Sequence, residues 1–154
     1  MPIRSRSAAI VLALLTGAVS AAASPPQARS VVIGEVSSSV ERPGVDYTSL
    51  LRTASETELG ALDLTGVPRG RDVVVSVSLV RLDTFAETRS VDASCAVSAV
   101  LRESRGGAVF AILEGRARAR SGDPAGVVER SAALGALHGA LARIPEVLRS
   151  ASGK

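Results

Sequence analysis

His138 is the only histidine of the chain and Cys95 its only cysteine. A protein zinc site draws on several His or Cys ligands, and these two residues cannot supply them. Serines are numerous, yet none sits in a Gly-x-Ser-x-Gly elbow, and no aspartate stands in an evident pattern with His138. The acids Asp63, Asp72, Asp83, Glu87 and Asp92 are scattered along the sequence. Acid–base work by carboxylates needs two of them held close together. The sequence therefore assigns no catalytic residue, no metal ligand and no cofactor, and the chain reads as a non-enzymatic protein.

Two other sets of residues have recognition chemistry. Arg116, Arg118 and Arg120 alternate with small residues, so a strand would place all three guanidinium groups on one face. A ladder of this kind suits an anionic partner such as a lipid headgroup or a glycan. The plainer reading is a solvated strand face, with Asp92 and Glu114 offsetting part of the charge in ion pairs worth about 0–1 kcal/mol. The second set is apolar: Val100, Phe110 and Ile112, beside Ala96 and Ala108. On a face turned away from the helices, such residues call for a cover. That cover could be another protein, a second copy or the N-terminal segment. Nucleic acid is not expected, because aromatic residues make up 2% of the chain and stacking platforms for bases are missing.

The elements that must position these residues can be read from periodicity. Arg89 to Arg102 alternates over its whole length: Val91, Ala93, Cys95, Val97, Ala99 and Leu101 form one set, and mostly polar residues the other. Ala108 to Arg120 alternates in the same way. Glu103 to Gly107 between them has turn composition, with glycines free to take positive φ. The expected register sets Leu101 opposite Val109, Val97 opposite Leu113, Cys95 opposite Gly115 and Ala93 opposite Ala117 on the inner face. On the outer face it sets Val100 opposite Phe110, Ser98 opposite Ile112 and Asp92 opposite Arg118. Upstream, Val73 to Leu82 is β-branched and strand-like, and its buried set switches near Leu79 and Val80, which suggests a bulge.

Val31 to Val36 reads as a first strand. Asp46 is placed to cap the helix that follows, in which Tyr47, Leu50, Leu51, Ala54, Ala61 and Leu62 recur at helical spacing. Asp123-Pro124 opens the last helix, with Asp123 as the expected cap. That helix carries an apolar stripe of Val127, Leu134, Leu137, Leu141, Ile144 and Leu148. A second, small-residue stripe runs through Ser131, Gly135, Gly139 and Ala142. The small stripe implies close contact with the sheet, and Pro145 should break the helix near Leu141. Glu129, Arg130, His138 and Arg143 interrupt the run, which argues against a membrane span. The result is an α+β fold: two layers, a four-stranded, mostly antiparallel sheet, two helices on one face, order β-α-β-β-β-α.

Residues 1–23 have the pattern of an export signal. Arg4 and Arg6 precede an apolar core from Ala8 to Val19, which is short of the ~20 residues of a span. Ala21 to Ala23 offers small residues for cleavage after Ala23. No cysteine follows the core, so lipid modification there is not expected. The signal takes two arginines and no acid, leaving sixteen basic against fifteen acidic residues, so the high isoelectric point says nothing about nucleic acid. The expected organisation is a signal peptide (1–23), a flexible segment (24–30), one domain (31–150) and a frayed tail (151–154). One cysteine in an exported protein leaves no internal disulfide, and Cys95 reads as a small buried hydrophobe.

The element order from Val31 to Arg149 resembles small periplasmic envelope-assembly proteins, in particular the lipopolysaccharide-assembly lipoprotein LptE. More loosely it resembles the first domains of TolB- and CsgG-type proteins. Asp92-Ala-Ser-Cys-Ala-Val97 followed by Phe110-Ala-Ile-Leu-Glu-Gly115 is similar to hairpins in uncharacterised exported proteins of high-GC bacteria. The resemblance implies a periplasmic or secreted binding module that docks on an envelope protein or on itself through its outer sheet face. The alternative is a binder of anionic lipid or glycan that uses the arginine ladder.

Overall fold

A computed structural model describes residues 31–67 and 72–151 of the chain. The elements are β1 (Val31–Ser38), α1 (Tyr47–Ala61), β2 (Val73–Ala86), β3 (Val91–Glu103), β4 (Val109–Ser121), α2 (Ala125–Leu141) and α3 (Ile144–Ser150). The strands form one sheet in the order β1-β2-β3-β4. The first pair is parallel and the other two are antiparallel. This is the α+β architecture expected from the sequence. The signal segment, residues 24–30 and residues 152–154 lie outside the described residues.

Alternation sorts each strand into two faces. Val73, Val75, Val77 and Leu79 of β2, Ala93 to Leu101 at odd positions of β3, and Leu113 of β4 are all buried. Both long helices cover this inner face: α2 packs on β3 and β4, and α1 packs on β1 and against α2. The bulge expected in β2 is present. Leu79 pairs with Val97 and Arg81 with Ala96, leaving Val80 as the extra residue, 55% exposed.

The β3–β4 register differs from expectation by two residues. Val97 pairs with Gly115, Cys95 with Ala117 and Ala93 with Ala119 on the inner face. On the outer face Val100 pairs with Ile112, Ser98 with Glu114 and Asp92 with Arg120. The cause is local. One residue of the shift lies in the turn, where Arg102 pairs with Val109 instead of Ala108; the other is a bulge, since Leu101 pairs with Ala111 and Phe110 is left as an extra residue. The turn is one residue longer than expected, but its glycines behave as read: Gly106 and Gly107 have positive φ, and the Glu103 N–H donates to the Ala108 carbonyl at 3.0 Å. A shift of two leaves every downstream side chain on its intended face, whereas a shift of one would have inverted the strand. At the bulge the expectation reverses. Val109 is 50% exposed, and Phe110 is half-buried against the hydrophobic core.

Both helix starts were expected to carry an aspartate cap, and only the first does. Asp46 accepts from the Ser49 N–H at 3.0 Å and from its hydroxyl at 2.6 Å. At α2 the cap position falls on Pro124, with no side-chain cap. Asp123 stands one residue too early and accepts from the Ser121 hydroxyl instead, at 2.6 Å. Pro145 acts as expected: α2 stops at Leu141, and α3 restarts at Ile144 with the proline in its first turn.

The buried side of α2 is rotated from the expected stripe. Val128, Ala132, Ala133, Ala136, Leu137, Ala140 and Leu141 are buried, whereas Val127 is 52% exposed. Gly135 and Gly139 lie at the margin and are exposed. The close approach is made by the sheet glycine. A Cβ on Gly115 would collide with the carbonyl oxygen of Ala136 and lie 2.6 Å from the Ala140 amide nitrogen. A Cβ on Gly139 would meet nothing nearer than the Gly115 Cα at 3.9 Å.

The two glycines should respond oppositely to a methyl group. Gly115→Ala is expected to lower unfolding free energy by about 3 kcal/mol or more, because two backbones must separate. Gly139→Ala should raise it by about 0.5–1 kcal/mol through helix propensity. Urea titrations of both variants, read by circular dichroism, measure the difference. Equal destabilisation would contradict the placement of the contact.

Candidate functional site

The face of the sheet opposite the helices is open among the described residues. Its side chains grade along the strands. Val32 of β1, Val74 of β2 and Val100 and Ile112 of β3 and β4 form a mostly apolar end: Val32 pairs with Val74 in one row, which the exposed Arg102 continues, and Val100 pairs with Ile112 in the next. Val32 is 47% and Ile112 63% exposed. The middle is hydroxylic: Ser78 lies between Ser37 and Ser98, and the Ser37 and Ser78 hydroxyls hydrogen-bond at 2.9 Å. The far end is charged.

Of the three residues expected to form the apolar patch, the structure brings Val100 and Ile112 together and separates Phe110. The Phe110 backbone is displaced by the bulge, and its ring joins the core margin. Val32 and Val74 extend the patch across the sheet. The sequence signal for them was the same alternation, in strands whose partners were not yet known.

All three ladder arginines project from the outer face, and each meets a carboxylate. Arg118 grips Asp92 with two nitrogens, Nε on Oδ1 at 2.7 Å and Nη2 on Oδ2 at 2.6 Å. Arg120 reaches Glu87 at 2.5 Å, and Arg116 reaches Glu114 at 3.2 Å. Asp92 stands directly opposite Arg120 and takes Arg118 diagonally, a reach the long side chain allows. Its side chain is 7% exposed, and the hydrogen bond from Arg118 holds its carboxyl below the usual range. On β2, Arg81 pairs with Asp83 in the same way. The charged end is therefore a set of four ion pairs, balanced in sign.

Between these pairs runs a groove of about 680 Å³. Ser94, Ala96 and Ser98 of β3 are among its lining residues, with Val80, Arg81 and Asp83 on one side and Glu114, Arg116 and Arg118 on the other. The small residues and the β2 bulge make the hollow. No residue here is a nucleophile with a base beside it. Cys95 is buried, and desolvation pushes its thiol up to about 11, so it stays protonated at neutral pH.

His138 lies elsewhere, on the exposed surface, with Nδ1 2.9 Å from Glu58 Oε2. It lines neither this groove nor the smaller hollow of about 350 Å³ formed by Ser38 to Thr48. Among the described residues no three His, Cys, Asp or Glu side chains are grouped to hold a metal. No helix described is long and apolar enough to cross a membrane.

One polar cluster was not anticipated. Glu129 sits on the buried side of α2, 6% exposed. It accepts from the Tyr47 hydroxyl at 2.9 Å and the Thr84 hydroxyl at 2.6 Å, and the Arg42 guanidinium lies 3.6 Å away. Burial and the hydrogen bond to Glu129 raise the Tyr47 pKa. In the sequence Glu129 looked like a solvated break in an apolar run. Its only signal was the single tyrosine at the start of α1, a residue that usually finds a hydrogen-bond partner when buried. The cluster joins α1, β2 and α2 through one buried carboxylate, and its Arg42 and Tyr47 line the smaller hollow.

The chain matches no protein-family model and no curated protein. It is similar in fold to several solved structures. One is a point variant of the PelC dodecamer from Paraburkholderia phytofirmans, at 16% identity and a TM-score of 0.55 over 78% of this chain and 86% of that one. Another is XCC0632 from Xanthomonas campestris, a protein of the DUF330 family, at 14% identity and 0.57 over 84% and 91%. A third is the hypothetical protein CT253 from Chlamydia trachomatis, at 12% identity and 0.53 over 80% and 99%. At these identities the likeness is one of fold.

Two measurements test the site geometry. Asp92 has a lowered folded pKa, so its contribution is complete above the unfolded value of about 3.9 and is lost as pH falls through the folded value. The melting-temperature gap between wild type and Asp92→Asn should be level above about pH 5 and close below about pH 4. A gap that widens in acid would refute the Arg118 pairing. Removing the buried acceptor with Glu129→Ala should cost about 1–3 kcal/mol. Glu129→Gln keeps one acceptor oxygen and should cost less, as chemical denaturation of the pair would show.

Proposed function

We propose that this chain is an exported, non-enzymatic module of the cell envelope that docks on a protein partner through the helix-free face of its sheet. One observation carries the reading. A four-stranded sheet covered by helices on one face presents apolar residues of two adjacent rows on the other, Val32 and Val74 in one and Val100 and Ile112 in the next, with Arg102 opposite Val74. Exposed apolar residues gathered on one surface mark an interaction site. The signal-like residues 1–23 support export, and the fold shared with PelC supports an assembly role, since that protein is a dodecamer. The alternative, an anionic lipid or glycan on the arginine ladder, has weaker support. A ligand anion would have to displace a carboxylate already paired with each guanidinium.

A photo-crosslinking residue at Ile112, introduced in the producing cell, should give a discrete protein adduct. The same residue at Arg130, on the exposed side of α2, should give none. Adducts at both positions, or at neither, would rule the docking face out.

A further inference from the structure

The edge of the sheet offers a surface distinct from the open face, and it carries an inference independent of the proposed function. β4 is thirteen residues long and, among the described residues, pairs with β3 alone. A long edge strand leaves a row of backbone N–H and C=O groups ready for another chain. Proteins usually blunt such an edge with charged side chains, proline, a bulge or a covering element; β4 carries charges, but of both signs, so they can also pair across an axis. From Ala111 to Ser121, β4 has no proline and its pairing with β3 is unbroken. The opposite edge differs: β1 has eight residues and an irregularity between Ile33 and Val36. On the inner face of β4, Ala136 and Ala140 of α2 sit on Gly115, and beside them a Cβ on Gly135 would lie 3.1 Å from the Ala117 Cβ and one on Gly139 3.9 Å from the Gly115 Cα. Both glycines are exposed, so no bulky side chain hangs over the strand there.

We infer that β4 pairs antiparallel with β4 of a second copy, with Gly115 on the two-fold axis. Charge selects both the partner and the register. The inner faces of the two copies stay on one side only when residues of like parity oppose each other. Centring the axis on Glu114 or Arg116 sets that residue against its own copy, and like charges directly opposite destabilise a pair. Centring it on Ala117 sets Arg116 against Arg118 twice, which offsets the two Glu114–Arg120 pairs it also makes, and centring it on Leu113 sets Glu114 against Ile112 with no ion pair.

Centring on Gly115 sets Glu114 against Arg116 of the second copy, twice by symmetry. It also places Leu113 against Ala117 and Ala111 against Ala119 on the inner face, all apolar. Arg118 then lies against Ile112, where its aliphatic stem covers the exposed side chain. Pairing across the axis exchanges the Glu114–Arg116 contact within each strand for two such contacts between the copies. Arg118 and Arg120 are held by Asp92 and Glu87 from outside β4. Glu114 and Arg116 have only each other along their own strand, with side chains 64% and 78% exposed. The product is a continuous eight-stranded sheet with a closed, isologous interface.

Light scattering on the exported protein as purified, over a concentration series, tests this. Wild type should be a dimer in equilibrium with monomer. Glu114→Arg and Arg116→Glu should each weaken it by about tenfold or more, since each turns two attractive pairs into two repulsive ones. The double variant restores opposite charges across the axis and should recover the wild-type constant. Circular dichroism checks that each variant is folded. A wild type that stays monomeric, single variants that dimerise like wild type, or a folded double variant that fails to recover would each overturn the inference.

Discussion

The contact between Gly115 and the α2 backbone is the constraint on which the rest of this structure depends. With no side chain on the strand at that point, the helix carbonyl of Ala136 comes down onto the sheet. Alanines at 132, 133, 136 and 140 and Ala93, Cys95 and Ala99 can then close a core that contains no tryptophan. Small residues bury little area each, so the layer is stable only if the two backbones are near enough for dispersion contacts to be dense. Larger residues, Leu51, Leu79, Leu101, Leu137, Leu141, Ile144 and Leu148 among them, add buried apolar volume, together with Val73, Val75 and Val77 of β2. The interruption at Pro145 leaves Ile144 and Leu148 buried within that same core.

A sheet held so closely on one side has its other side free for recognition. There the sequence spends its charge in balanced pairs, and it leaves the apolar end without a local partner. The same strands thus do two unlike jobs, because successive side chains point to opposite layers. The arginine ladder illustrates why counting charges along a strand is insufficient. Three guanidinium groups in a row look like an anion site. In the folded chain Asp92 and Glu87, distant in sequence, and Glu114, beside them, meet the three guanidinium groups one by one.

Much of this was legible beforehand, and what was not has definite causes. Face assignment along β2, β3 and β4 follows from period-two alternation and survives a two-residue error in register. Half of the error lies in a turn one residue longer than expected and half at Phe110, where a bulge adds a residue that no composition rule marks and exchanges the environments of Val109 and Phe110. Of the expected apolar stripe, Leu137, Leu141, Ile144 and Leu148 are buried and Val127 is not; the stripe leaves out Ala132, Ala133, Ala136 and Ala140, which close helix-to-sheet contact favours. The Asp123 cap failed because helix onset was placed one residue early. Glu129 was missed because its partners, Tyr47, Thr84 and Arg42, come from three different elements, and only the tertiary arrangement joins them.

That cluster has a consequence for how α2 finds its seat. Ala132, Ala136 and Ala140 repeat every four residues, so a slide of one helical turn would put one methyl where another had been. Apolar packing alone barely distinguishes those positions. Glu129 has no such double, since Ala125 and Ala133 stand one turn to either side. Its carboxylate can be satisfied by Tyr47 and Thr84 in a single setting only, and any other would strand a buried charge. A polar residue inside the core thus acts as the key that tells an otherwise self-similar helix where to stop.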